Sequence, residues 1–168
     1  MSPVPDRPWF SRPVGIAGIA LLAGFLLVLL FGPTGEPSWA VRKTACISNL
    51  RLLARGITEY SDDNDGRAPL RDSWMDGVEP YCLLPEIEHC PEVRGDGLFG
   101  YAFNASVKAM RSQHEKTTPL IYDSLNLGKN ASDPFASLPK PGRHQGRDNV
   151  AYVDGHAKSV DPNARKEP

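Results

Sequence analysis

The stretch from Arg143 to Val160, RHQGRDNVAYVDGHAKSV, sets the tightest limit on what this chain folds into. Val150-Ala-Tyr-Val153 is β-branched and aromatic, the composition of a strand. Asp154-Gly155 is a dipeptide favoured in two-residue hairpin turns, because Gly takes positive φ freely and Asp tolerates it. His156-Ala-Lys-Ser-Val160 then returns as the partner strand. A two-residue loop predicts Val153 opposite His156 across the ladder, with Tyr152 opposite Ala157 on the other face. A sheet must therefore form near the C-terminal end.

A different constraint acts at the other end. Val14 to Phe31, VGIAGIALLAGFLLVLLF, carries no charged or polar side chain. As a helix it would be about 27 Å long, close to the hydrocarbon thickness of a bilayer. A helix half-buried on a soluble core would show a polar stripe, and this run has none. The expectation is a transmembrane helix over 14–31. Arg7 and Arg12 precede it and only Glu36 follows closely. The excess of positive charge before the span predicts segment 1–13 on the cytoplasmic side of the inner membrane and the remainder outside it. Ser38-Trp39-Ala40 fits a small-x-small cleavage site, yet the apolar run exceeds a usual signal-peptide core, so a retained single-pass anchor is expected.

Pro33 and Pro37 interrupt any helix and mark a linker over 32–38. Beyond it, Val41, Ala45, Leu50, Leu53, Ala54, Ile57 and Tyr60 recur at helical spacing, which predicts a helix over Trp39–Ser61. A short helix over Ser73–Leu83, strands over Tyr101–Phe103 and Leu120–Asp123, a loop over Ala131–Gly142 and a disordered tail over 161–168 complete the reading. The fold class is α+β, one domain over 39–160 with an amphipathic helix on a small antiparallel sheet ending in the hairpin. A net charge of −1 leaves no basic footprint for nucleic acid.

Several motifs go further than pattern. His144 is followed by nine residues and then Asp154-Gly155-His156, with Asn149-Val-Ala-Tyr-Val153 inside the interval. Upstream stand Cys46-Ile-Ser-Asn49-Leu50-Arg51, Tyr60 to Gly66 with Pro69, Trp74 with Pro80-Tyr81, Cys90-Pro91, Tyr101-Ala-Phe-Asn104 and Thr118 to Ser124. Together these resemble pilin-like proteins with the prepilin-type processing-associated H-X9-DG domain, relatives of type II secretion pseudopilins. The resemblance covers most of residues 40–160. It implies a membrane-anchored, non-enzymatic, structural component of a type II secretion or type IV pilus-like assembly in the bacterial cell envelope. Partners would be other pilin-like subunits or secretion-system proteins. The Gly-Phe-x-x-x-Glu start of a prepilin has no counterpart, Arg12-Pro13-Val14-Gly15-Ile16 standing there instead.

Three cysteines, Cys46, Cys82 and Cys90, allow one bridge and leave one thiol over. The resemblance points to Cys46–Cys90, and Cys82–Cys90 is the rival pairing. Zinc is not expected, since no C-x2-C pair exists. His144, Asp154 and His156, with Asp123 to join them, offer imidazole and carboxylate groups that suit a divalent ion. The plainer roles are Asp154 building the turn, His156 packing across from Val153 and His144 bonding a loop carbonyl. On that reading there is no cofactor, with calcium left open only by analogy to pseudopilins. The second functional class is therefore an anchored metal-binding or hydrolytic domain using His144, Asp154 and His156. No H-E-x-x-H helix or nucleophile elbow supports hydrolysis.

Overall fold

The computed structural model describes residues 13–31, 38–82, 84–110 and 116–163. They belong to two compact units, divided between Glu36 and Pro37. The expectations for segment 1–12, for the helix break over 32–37 and for the end of the tail, 164–168, lie outside the described residues.

The first unit is the helix α1, Pro13–Phe31. Among the described residues no helix is long and apolar enough to cross a membrane. This overturns the transmembrane helix expected over 14–31. The assignments resting on that span fall with it: the inner-membrane, single-pass location with the N-terminus inside and the domain extracytoplasmic, and the membrane and pseudopilin designations drawn from it.

The second unit begins with α2, Trp39–Asp63. The Ser38 hydroxyl accepts from Val41 N at 3.5 Å and caps its first turn. Cys46, Leu50, Leu53, Ala54, Ile57 and Ser61 are buried along one face, the three-and-four spacing the sequence shows. At the other end Asp65 and Gly66 take positive φ, and Gly66 N donates back to Ser61 O at 2.8 Å, closing the helix. The helix expected over Ser73–Leu83 is instead three short pieces. A 3-10 turn at Arg71–Ser73 leads into α3, Trp74–Val78, and a second 3-10 turn follows at Glu79–Tyr81. Pro80 sits in that last piece, where its ring and missing donor prevent a longer α-helix.

Among the described residues five strands follow: β1 Tyr101–Asn104, β2 Pro119–Asp123, β3 Ser132–Asp133, β4 Asp148–Tyr152 and β5 Ala157–Val160. Their order in the sheet is β3-β1-β2-β4-β5. The sheet is mixed, not purely antiparallel as expected, because β3 runs parallel to β1. The residues responsible lie in the stretch read as a loop. Phe103 N donates to Ala131 O and Ala105 N to Asp133 O, each at 2.9 Å, so this short segment satisfies the open edge of β1.

The hairpin is present, but in another register. Ala151 pairs with Ala157 and Asp148 with Val160, which places Tyr152 opposite His156, with Tyr152 N donating to His156 O at 2.9 Å. The loop is therefore Val153-Asp154-Gly155, three residues, closed by Gly155 N donating to Tyr152 O at 2.8 Å, with Gly155 at φ +83°. Val153 is drawn off the hairpin ladder toward β2, its N donating to Thr118 O at 3.1 Å, and its side chain enters the core. His156 stacks on Tyr152, rings 4.4 Å apart, and does not face Val153.

One sheet face packs Tyr101, Phe103, Ile121, Ala151 and Ala157 into the cluster that holds Leu50, Leu53 and Ile57 of α2 and Trp74 of α3. The opposite face packs Ala102, Tyr122, Val150 and Tyr152 with Ala131 and Leu138. Burial on both faces explains why β1, β2 and β4 read as short continuous runs instead of alternating ones.

Candidate functional site

Where α2 crosses the sheet, four polar side chains from four separate segments meet in the core. Cys46 comes from the buried face of α2, and Cys90 follows the 3-10 turn Pro85–Glu88. Asp123 is the last residue of β2, and His144 lies in the loop before β4. Their ligand atoms all lie within 4.8 Å of one another, and all four side chains are buried.

The geometry centres on the Asp123 carboxylate. Oδ2 accepts from Asn149 N at 2.6 Å and lies 3.2 Å from His144 Nε2. Oδ1 accepts from the Cys46 thiol at 3.3 Å, and Arg143 Nη1 lies 3.5 Å away. Arg143 is itself tethered, donating from Nη1 to Gly100 O at 2.7 Å and from Nη2 to Ser124 O. Cys90 Sγ lies 3.9 Å from His144 Nε2, and the Tyr101 hydroxyl donates to Cys46 Sγ at 3.4 Å. His144 Nδ1 is buried without a hydrogen-bond partner.

These contacts split the charge states of the two thiols. Burial pushes Cys46 well above the usual thiol range, so it stays protonated. The Cys46 hydrogen bond holds Cys90 down to about 6 against the opposing effect of burial, with His144 assisting. Burial would lower His144, but the hydrogen bond to Asp123, followed by that to Cys90, lifts it to about 9. Burial thus favours the neutral form of Cys46, while the hydrogen-bond partners of Cys90 and His144 favour their charged forms.

Thiol, imidazole and carboxylate are the groups of a thiol-nucleophile triad, but Cys90 and Asp123 both meet the same ring nitrogen, Nε2, where a triad needs them on opposite nitrogens. Access is lacking as well. Cys90 is 1% exposed and Asp123 0%, and the two cavities described in the domain are lined by other residues. The larger, about 400 Å³, is bounded by Leu52, Arg55, Tyr81, Cys82 and Leu84. The other borders Val107 and Thr118.

The residues singled out from the sequence divide between two places. His144 is enclosed in the core with Asp123, and its ring meets that carboxylate, not a loop carbonyl. Asp154 and His156 stay at the hairpin turn, where Asp154 Oδ1 accepts from His156 N at 3.2 Å and lies 2.5 Å from His156 Nδ1. Cys46 and Cys90 are neighbours, both as free thiols. Cys82 is half-buried beside Gly56, and burial raises its thiol to about 11. The sequence reading did not place the two cysteines with Asp123 and His144. The sequence points to each half separately, to Cys46 with Cys90 through the resemblance and to Asp123 with His144 as metal ligands, and the structure brings the two halves together. No family model matches the chain, and neither a curated protein nor a solved structure matches it.

Proposed function

We propose that this chain is a non-enzymatic structural subunit, a pilin-like component of a type II secretion or type IV pilus-like assembly, acting through protein contacts. The observation that supports this most is how the H-x9-D-G residues are spent. His144 fastens the loop before β4 to the end of β2 through Asp123, while Asp154 and Gly155 close the β4–β5 turn. The motif that carries the resemblance thus serves the sheet, its histidine buried in the core and its aspartate and glycine shaping a turn. The centre with catalytic-looking parts is sealed. Exposed Leu52 and Leu84, bordering the groove beside Tyr81, give the domain an apolar surface suited to a protein neighbour.

Site-specific photo-crosslinking from position 52 or 84 in the full chain, in its native cells, tests the reading. Adducts with a second copy or with another pilin-like subunit, those from position 84 being lost in Leu52→Glu, are the expected result. A chain that forms no such adducts, yet shows turnover abolished by Cys90→Ser, would instead be an enzyme.

A further inference from the structure

We propose that Cys46, Cys90, Asp123 and His144 form a buried tetrahedral site for a single zinc ion, which ties α2, the Cys90 loop, β2 and the loop before β4 together. The inference stands independently of the assembly role.

Three observations carry it. The first is spacing. Zinc bonds of about 2.0–2.3 Å to nitrogen, oxygen and sulfur give a tetrahedron with edges of about 3.3–3.8 Å. Here Asp123 Oδ2 and Cys90 Sγ lie 3.2 and 3.9 Å from His144 Nε2, and Cys46 Sγ lies 3.3 Å from the other Asp123 oxygen, Oδ1, so one of the two oxygens would serve as the ligand. No donor pair exceeds 4.8 Å, so an ion needs only small side-chain adjustments. The second is donor type. Two sulfurs, one imidazole nitrogen and one carboxylate oxygen, all from protein and all buried, make a closed four-ligand set of the structural zinc kind. The third is charge. Two thiolates and a carboxylate around a divalent ion leave one net negative charge, and the Arg143 guanidinium 3.5 Å from Asp123 offsets it.

A Cys46–Cys90 disulfide would use only two of the four groups. It would also remove the Cys46 thiol proton that is donated to Asp123. A metal uses all four at once.

The test takes the full chain, reduced and stripped with a chelator that is then removed, and titrates it with cobalt(II) followed by zinc. One cobalt per chain is expected, with intense tetrahedral d–d bands and thiolate-to-cobalt charge transfer, both erased by one equivalent of zinc. Cys90→Ser and His144→Ala should each weaken zinc binding by more than about 100-fold, since even outer-shell changes cost 10–100-fold. Cys82→Ser should leave it unchanged. Because the two ligand variants replace core residues, X-ray absorption of the zinc-loaded unsubstituted chain supplies a second readout. Two sulfur and two nitrogen or oxygen neighbours are expected there. No stoichiometric uptake, a first shell without sulfur, or a native chain isolated with Cys46 and Cys90 already joined would each overturn the proposal.

Discussion

His144 Nε2 lies 3.2 Å from Asp123 Oδ2, and solvent reaches neither side chain. The two residues belong to different motifs of the sequence, one opening the H-x9-D-G stretch and the other closing a strand. Their contact joins the last loop of the domain to its central sheet, because Asp123 also accepts from Asn149 N and so holds the start of β4. An imidazolium and a carboxylate buried together are strongly coupled, and removing one leaves the other's desolvation uncompensated.

His144→Ala should therefore destabilise the domain by about 3–5 kcal/mol, the usual loss when one partner of a buried pair is removed. Asp154→Ala, at an exposed turn, should cost less than about 1 kcal/mol. Urea unfolding of both variants checks the contrast. Equal losses would mean that the histidine of the motif is no more central than its turn.

Asp148 makes stability depend on pH in a defined direction. Its carboxyl is buried, with Oδ1 accepting from Arg143 N at 2.8 Å and Oδ2 unpartnered. Burial raises it from 3.8 to about 6. The folded state then binds the proton more tightly than the unfolded chain does. The associated stability is full below pH 3.8 and lost as pH rises through about 6. Asp148→Asn keeps an acceptor for Arg143 N and should abolish that part of the slope. At pH 7 it should be more stable than the unsubstituted chain by about 1–3 kcal/mol, read from denaturation curves at a series of pH values.

Gly142 is required for space. A Cβ there would meet the backbone N and C of Arg147 at 2.5 Å, and backbone cannot swing aside as a side chain can. Gly142→Ala should cost more than about 2 kcal/mol and loosen the loop that carries His144. Faster amide exchange at Arg147 and Asp148 would report that loosening.

Asn130 does two jobs at one position. It sits at φ +58°, where L side chains are strained, and its Oδ1 accepts from Met75 N at 2.7 Å at the start of α3. Asn130→Ala loses both the tolerance and the cap, about 2–3 kcal/mol together. Asn130→Gly restores the backbone freedom and should recover about 1 kcal/mol of that loss. Thermal melts of the pair separate the two contributions.

The sequence by itself determined the local elements of the domain. The three-and-four spacing of Leu50, Leu53 and Ile57 specifies a helix and its buried face. The aromatic and β-branched runs at Tyr101–Phe103 and Val150–Val153 specify strands, which the fold sets at Tyr101–Asn104 and Asp148–Tyr152. Asp154-Gly155 specifies a turn. Each of these signals acts between residues a few positions apart, where backbone sterics and side-chain periodicity decide the outcome. Only the tertiary structure decided the rest. Val153 left the hairpin ladder because its N–H found Thr118 O and its side chain found the core, which turned a two-residue loop into three and shifted the register by one. Ser132–Asp133 became a parallel edge strand because β1 had donors to satisfy. Cys46 and Asp123 are 77 residues apart in the chain, and Cys90 and His144 54. No local rule brings them together. Their meeting depends on α2 lying across a sheet ordered β3-β1-β2-β4-β5, an arrangement set by the packing of whole faces.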